Sequence, residues 1–146
     1  MTTSIPRPLS QPERVRRLVL AMPMAQTLGL RFDDLQPGQV VLSAPVQDGW
    51  CFQPGQLQAT AMFALADFAA VAAAATLLPE GWANSTVDAS IKFVAPAQGE
   101  RLRAHGRVVQ AGKSLTVCAA DVYAIDGVRE TLCATLLGTA RNLALR

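Results

Sequence analysis

"QLQATAMFALADFAAVAAAATLL", residues 56–78, is an almost wholly apolar stretch with a single charged residue, Asp67, near its middle. About 20 residues of good helix formers make a helix of roughly 30 Å, and Pro79 and Gly81 supply its stop signal. The helix has no polar face, so other parts of the chain must surround it. A membrane span over residues 61–78 is the alternative, but a central aspartate costs about 2.5–3.5 kcal/mol in a bilayer. We therefore predict a buried central helix.

The segments around this helix are predicted to be strands of one antiparallel sheet. Residues 30–35 and 40–46 flank a turn that has Pro37 and Gly38 where a type II turn requires them. Four further segments are separated by turns short enough to join antiparallel neighbours. These segments are residues 86–95, 101–110, 114–124 and 128–140.

Alternation within two of these segments indicates a sheet with one face on the core and one face in solvent. In "TVDASIKF", residues 86–93, the apolar residues occupy alternate positions, so Val87 is predicted to face inward and Thr86 outward. "RLRAHGRV", residues 101–108, alternates in the same way, with its arginines on the outward face. A six-stranded sheet curled round one apolar helix satisfies both patterns.

A capping box formed by Ser10 and Glu13 predicts a short N-terminal helix over residues 11–21. Residues 1–9 are expected to form a flexible N-terminus. The predicted fold class is therefore α+β, a single domain over residues 1–146. In it a curved antiparallel sheet of about six strands wraps a long central helix.

Composition excludes several classes of function. The formal net charge is +2, with 13 basic and 11 acidic residues spread along the chain, so no binding of nucleic acid is expected. Three cysteines without C-x-x-C spacing argue against a disulfide framework, and a single histidine argues against a metal site. The N-terminal segment lacks the apolar run of a secretory signal. We expect a cytoplasmic protein that binds no metal, nucleic acid or membrane.

The sequences "FALADFA" and "TVDASIKFVAPA" and the later "GKS" hairpin resemble the hotdog-fold acyl-CoA thioesterases of the phenylacetate-pathway (PaaI-type) and 4-hydroxybenzoyl-CoA branch. The most specific match is Leu-Ala-Asp at residues 65–67, followed later by a strand that ends in Pro-Ala at residues 96–97. The resemblance implies a hydrolase that splits an acyl or aryl-acyl-CoA into free acid and CoA, with no cofactor besides the CoA of the substrate. It also implies a homodimer, often paired into a tetramer, with its sites at the dimer interface.

Asp67 is the candidate catalytic residue. Thioester hydrolysis needs a carboxylate that activates water or attacks the carbonyl directly, and Asp67 is the only acidic residue of the long helix. The resemblance places the family's catalytic carboxylate at this position. The alternative is a structural acid that pairs with a base such as Lys92 or reaches solvent at the helix edge. Because an unpaired charge in an apolar helix is costly, we assign Asp67 a catalytic role.

The start of the long helix is the candidate oxyanion site. It offers backbone N–H groups at Gln58, Ala59 and Thr60, and no Ser, Asp or Asn precedes them as a cap. The Ala59 N–H is the predicted donor; water or the Gln58 side chain is the alternative occupant. Ala59 and Asp67 are eight residues apart, about 12 Å along one helix, so both cannot reach one thioester carbon. Two helices packed antiparallel about a two-fold axis bring Asp67 of one chain to Ala59 of the other.

Further residues extend this predicted site. Thr86 matches the position at which some relatives carry a hydroxyl that orients the water; the alternative is a hydroxyl bonded to its own backbone. Gln53 or Gln58 is a candidate donor to the thioester carbonyl, and each is equally a loop or cap residue. The phosphates of CoA favour the basic side chains at a pocket mouth, although such charges are usually solvated. The predicted substrate contacts are Thr60, Phe63, Phe52, Lys113, Lys92 and Ser85.

Departures from the family pattern support a second hypothesis. The relatives carry His-Gly-Gly where this chain has Gln58, Ala59 and Thr60, and an Asn or Gln where it has Phe52. A non-catalytic acyl-CoA-binding module, a sensor or an accessory subunit, is therefore the competing interpretation. A hotdog dehydratase or hydratase is the third, and the absence of any histidine before His105 argues against it. The sequence does not specify the acyl group. It also does not decide between a dimer and a tetramer.

Overall fold

The computed structural model describes residues 8–146. Its α-helices are α1 (Gln11–Leu20), α2 (Pro23–Leu28) and α3 (Ala59–Ala75), and α3 is the predicted central helix. The flexible N-terminus is predicted over residues 1–9. Residues 1–7 of that segment lie outside the described residues.

In chain order the strands are β1 (Arg31–Gln36), β2 (Gln39–Pro45), β3 (Cys51–Gln53), β4 (Gln56–Leu57), β5 (Trp82–Phe93), β6 (Arg101–Gln110), β7 (Leu115–Asp126) and β8 (Arg129–Ala144). Six of them form one antiparallel sheet in the order β1-β2-β6-β7-β8-β5. The predicted α+β hotdog fold is confirmed, with α3 on a six-stranded sheet and a short N-terminal helix. The small β3–β4 pair lies between β2 and α3, where the sequence analysis predicts no strand.

Local signals predicted α1 and the β1–β2 hairpin correctly. The Ser10 hydroxyl accepts from the Glu13 N–H and the Glu13 carboxylate accepts from the Ser10 N–H, so the capping box is formed. Gly38, with a φ of 78°, provides the left-handed turn residue of the β1–β2 hairpin. Both features depend only on neighbours within four residues, which is why the sequence alone reveals them.

Small residues let α3 lie close to the sheet. Ala66, Ala69 and Ala70 of α3 are fully buried. Gly106 of β6 lies directly under this part of the helix, where an added Cβ would collide with the Ala69 carbonyl. Because cores are close-packed, a larger residue at Gly106 would push the helix away from the sheet.

The helix α3 is shorter than predicted. It has 17 residues and ends at Ala75. Thr76 closes it, since its Oγ1 donates to the Ala73 carbonyl and accepts from the Gly38 N–H. Within the part of the chain that is described, no helix has the length and hydropathy that a membrane span requires.

One stripe of α3 is only partly covered by residues 8–146, so these residues do not surround the helix equally on every side. The sheet packs against one side of α3, and α1 covers part of a second side. The remaining stripe, called here the open stripe, consists of exposed or half-buried residues at helical spacing. Its residues are Thr60, Phe63, Ala64, Asp67 and Val71.

The strand β5 departs from the predicted alternation near its middle. Thr86 and Asp88 pair with consecutive residues of β8, so Val87 is the extra residue of a β-bulge. The bulge turns Thr86 toward α3 and leaves Val87 55% exposed. Beyond it, Ala89 and Ile91 pack against the core as predicted. The prediction of an outward Thr86 and an inward Val87 was wrong because alternation assumes an unbroken ladder.

Candidate active site

Asp67 is half-buried in α3, and a hydroxyl of β5 holds its carboxylate. Thr86 Oγ1 donates a hydrogen bond of 2.8 Å to Asp67 Oδ1. Thr86 reaches α3 because the bulge at Val87 shifts the alternation of side chains in β5, so that Thr86 lies on the face toward α3. With Oδ1 engaged, Oδ2 keeps its capacity to accept a further hydrogen bond. Lys92 is exposed, and no residue from 8 to 146 forms an ion pair with Asp67.

A cavity of about 270 Å³ opens beside Asp67. Three elements line it, namely α3 from Asp67 to Ala75, β5 from Trp82 to Thr86, and one face of α1. Most of its surface is apolar, which is typical of a site for an apolar group with a few polar residues at one end.

Polar contacts tie the cavity walls together. The Asn84 side chain donates to the Val71 carbonyl at 3.1 Å, and the Gln11 side chain donates to the Ala75 carbonyl at 3.2 Å. With the contact to Asp67, side chains of β5 and α1 therefore reach α3 at three successive turns. These bonds satisfy polar groups that the apolar cavity would otherwise leave unpaired.

Two buried cysteines under α3 remain thiols. Burial, and secondly the charge of Asp67, raise the pKa of Cys118 to about 11. Burial also raises the pKa of Cys133 to about 11, although hydrogen bonds with backbone groups oppose the shift. Both side chains are fully buried. At neutral pH they are therefore uncharged and serve as small core residues rather than nucleophiles.

The start of α3 carries unsatisfied backbone donors. Gln58 is the N-cap residue, and no side chain of residues 8–146 caps the helix. The Gln58 side chain accepts a hydrogen bond of 3.4 Å from Thr60 Oγ1 instead. Within residues 8–146, no acceptor is bonded to the N–H groups of Ala59 and Thr60. Since the helix dipole is positive here, these groups are suited to bind a developing negative charge.

A second hollow, of about 460 Å³, lies beside this first turn. Phe52, Ala59 and Phe93 are among the residues that line it. Phe52 is 61% exposed, so this chain alone gives its ring little cover. Gln53 lies in a different hollow, formed by the β3–β4 turn.

The structure divides the predicted site residues between these places. Asp67, Ser85 and Thr86 line the cavity next to α1, whereas Phe52 and Ala59 line the hollow at the helix start. The two groups are separated by about 12 Å along α3. The predicted residues that line neither are Gln53, Gln58, Thr60, Phe63, Lys92 and Lys113.

The sequence interpretation missed the part that α1 and the start of β5 play in the site. Val15, Leu18 and Val19 of α1 line the cavity, and Trp82 and Asn84 of β5 join them. The helical spacing of the α1 residues indicated an apolar face. It did not indicate which part of the chain that face covers.

Residues suited to other chemistry lie away from Asp67. His105 packs edge-to-face against Tyr123, with ring centroids 5.3 Å apart, on the sheet face opposite α3. Within residues 8–146, no three His, Cys, Asp or Glu side chains are grouped as a metal site would require.

Comparisons with known proteins agree with this geometry. A family model described as the thioesterase superfamily matches residues 59–131, half of the 146-residue chain. A crystal structure of a thioesterase family protein from Silicibacter pomeroyi is 36% identical, with a TM-score of 0.87. The alignment covers 90% of this chain and 97% of that one. Comparison with curated protein sequences gives no significant match.

Two more distant structures share the fold. A thioesterase from Haemophilus influenzae is 18% identical with a TM-score of 0.81, over 95% of this chain and 94% of that one. A phenylacetic acid degradation-related protein from Ralstonia eutropha is 24% identical with a TM-score of 0.77, over 90% and 98% respectively. At these identities the likeness concerns the fold alone.

Proposed function

This chain belongs to the thioesterase superfamily, and on that premise we propose that it hydrolyses an acyl-CoA to free acid and CoA. The observation that carries the proposal is the Asp67 carboxylate, held at 2.8 Å by Thr86 at one end of an apolar cavity. One carboxylate oxygen is engaged and the other can accept a proton, which is the arrangement that activation of a water requires.

In the proposed reaction Asp67 takes a proton from water while the water oxygen bonds to the acyl carbon. The carbonyl oxygen becomes an oxyanion that needs hydrogen-bond donors. When the carbonyl re-forms, the C–S bond breaks, and the departing CoA thiolate takes the proton from Asp67. In the other route the Asp67 carboxylate bonds to the acyl carbon, the C–S bond breaks, and CoA leaves as the thiolate. Water then hydrolyses the mixed anhydride to the free acid and Asp67, and the proton released goes to the thiolate. Thr86 positions the carboxylate in both routes.

The proposed oxyanion donors are the N–H groups of Ala59 and Thr60 in a second copy of the chain. Two α3 helices packed antiparallel along their open stripes place Ala59 opposite Asp67 when the two-fold axis passes the residue midway, which is Phe63. Phe63 is 37% exposed on that stripe. A two-fold axis there makes two equivalent sites, each built from both chains.

The strand β5 supports the same assembly. It is an edge strand of 12 residues, and within the described residues it pairs only with β8. Long edge strands are normally covered or paired, because their free N–H and C=O groups are otherwise sites of unwanted association. Thr86 lies on β5. If β5 pairs with β5 of a second copy, that interface therefore lies next to the Asp67 site.

Asp67→Asn tests the proposal. We expect the wild-type protein to release CoA from a panel that includes acetyl-CoA, octanoyl-CoA, phenylacetyl-CoA and palmitoyl-CoA. Asparagine keeps the contact to Thr86 but cannot accept a proton, so kcat should fall by about a hundredfold to ten-thousandfold. The matched control is Asp126→Asn, an exposed aspartate in the β7–β8 turn, which should retain full activity. Unchanged turnover in a folded Asp67→Asn variant would contradict the assignment.

The competing function is a non-catalytic acyl-CoA-binding module. Gln58, Ala59 and Thr60 at the helix start, where relatives carry His-Gly-Gly, are the observation that favours it. It predicts tight binding of acyl-CoA by calorimetry together with no CoA release from any member of the panel. Measurable hydrolysis that depends on Asp67 excludes it.

A further inference from the structure

We propose that the cavity between α1, α3 and β5 is the acyl subsite, and that it selects apolar acyl groups of medium size. The preferred groups contain one aromatic ring or a chain of about eight carbons. This inference rests on the proposed thioesterase function, because it assigns the acyl group of the same reaction. It makes α1 a determinant of substrate specificity.

The direction of the subsite follows from the three hydrogen bonds along α3. Side chains of β5 and α1 reach the helix at Asp67, Val71 and Ala75, and all three residues line the cavity. The cavity therefore extends for two helical turns from the reacting carboxylate, about 12 Å. An acyl group with its carbonyl carbon at Asp67 extends its tail toward Ala75.

The size of the cavity limits the acyl group. An engineered apolar cavity of about 150 Å³ binds benzene, so a cavity of about 270 Å³ holds one ring with a short linker. With a C–C bond of about 1.5 Å, a length of about 12 Å matches a chain of about eight carbons. Gln11 bonds to the Ala75 carbonyl at the far end. A longer chain would have to displace that contact.

The chemistry of the walls selects an apolar tail. Val15, Val19 and Val71 present aliphatic groups, and the amides of Gln11 and Asn84 are bonded to carbonyls of α3. A carboxylate on the acyl tail would lose its hydrogen bonds to water and would meet no lysine or arginine among the lining residues. The subsite should therefore reject acyl groups with a charged end.

The dependence of kcat/KM on chain length is the first measurement. The series is acetyl-, butyryl-, hexanoyl-, octanoyl-, lauroyl- and palmitoyl-CoA with the wild-type protein. We expect kcat/KM to rise by up to about fourfold per buried methylene as far as octanoyl-CoA, and then to fall. A profile that is flat, or that rises steadily to palmitoyl-CoA, would overturn the subsite.

Ala75→Leu shortens the cavity from its far end. We expect the ratio of kcat/KM for octanoyl-CoA to that for butyryl-CoA to fall by about tenfold, since the last methylenes lose their place. The matched control is Ala21→Leu, an exposed residue at the end of α1 outside the cavity, which should leave the ratio unchanged. An unchanged ratio in Ala75→Leu would contradict the inference.

A second variant and a binding measurement keep the test decisive. Leu18→Trp narrows the cavity from α1 at a residue that is 64% exposed, so folding should tolerate it. The ratio of kcat/KM for octanoyl-CoA to that for butyryl-CoA should fall.

If no thioester is hydrolysed, the proposed function fails, and calorimetry with octanoyl-CoA tests the subsite alone. Binding should then weaken by about tenfold in Ala75→Leu. Equal Kd values in both proteins would overturn the subsite.

Discussion

The two halves of α3 differ in how completely one chain surrounds them. Around Asp67, the second half contacts α1 and β5 and is joined to them by three side-chain hydrogen bonds. Around Ala59, no side chain of the described residues caps the first turn, and the aromatic ring of Phe52 beside it is largely exposed. One chain thus holds the Asp67 carboxylate beside a cavity at the second half of α3. At the first half, the N–H groups of Ala59 and Thr60 have no acceptor among residues 8–146.

The difference bears on the dimer proposed above, because it identifies the contacts that the second chain provides there. Uncapped N–H groups at a helix start are free to bind a ligand, and exposed apolar side chains that form a patch are common at interfaces. The half with Asp67 holds the proposed reacting carboxylate, whereas the half with Ala59 has N–H groups that no acceptor among residues 8–146 engages. In the proposed dimer, the first turn of one α3 lies beside Asp67 of the other, so each half supplies the group that completes the site.

Ala59→Pro tests the first half of the helix, and its expected effect is the largest after that of Asp67→Asn. Proline is tolerated at the first helical position, and Gln58 already has a φ of −67° and a ψ of 148°, which suits a residue before proline. The substitution removes one N–H without disturbing the helix. We expect kcat to fall by about a hundredfold to a thousandfold, with an unchanged thermal unfolding midpoint. Ala59→Gly, which keeps the N–H, is the matched control.

Mixed dimers sharpen this prediction. A heterodimer with Asp67→Asn in one chain and Ala59→Pro in the other, purified through two different tags, contains one doubly defective site and one intact site. We expect about half of the wild-type activity per dimer, although each homodimer is inactive. An inactive heterodimer would show that each site lies within a single chain.

Thr86→Val tests the half with Asp67 and has a smaller expected effect. Valine keeps the shape of threonine but removes the hydrogen bond to the carboxylate. Hydrogen bonds to charged groups contribute about 1.5–3 kcal/mol, so kcat/KM should fall by about tenfold to a hundredfold. Thr86→Ser restores the hydroxyl and should restore most of the activity. If serine and valine behave alike, the hydroxyl does not position Asp67.

The reactivity of the cysteines has the smallest expected effect among these tests. It compares the packing around the two halves of α3. Cys51 lies half-buried near the helix start, whereas Cys118 and Cys133 are buried under the sheet-facing side of α3. Iodoacetamide should modify Cys51 in the folded protein and the other two only after unfolding, as mass spectrometry of the peptides would show. Rapid modification of Cys118 in the folded protein would contradict the packing of this half.

The same thiols predict a dependence of stability on pH. Burial raises the pKa of Cys118 and of Cys133 from 9.0 to about 11 in the folded protein. Between these values the unfolded chain loses thiol protons that the folded chain keeps, so stability should fall as the pH rises through this range. Urea unfolding midpoints measured across that range check the sign. Cys118→Ala should make the fall shallower.

Most of the fold could be predicted because its signals are local. The capping box at Ser10, the turn at Gly38 and the alternation of β6 each depend on neighbouring residues, and each is confirmed. The bulge at Val87 could not be predicted, since it depends on how β5 pairs with β8. One extra residue there changes which side chain reaches Asp67. A bulge of a single residue therefore decides the hydrogen bond that holds the candidate catalytic carboxylate.

The sequence by itself determined the central helix, the strands and the position of one carboxylate in an apolar surrounding. It also determined the spacing of Ala59 and Asp67, because the rise of a helix per residue is constant. Only the tertiary structure decided that Thr86 holds Asp67, that α1 closes one side of a cavity, and that one stripe of α3 stays open. These features join residues distant in the chain, and their free energy depends on packing and strand pairing that no local pattern records.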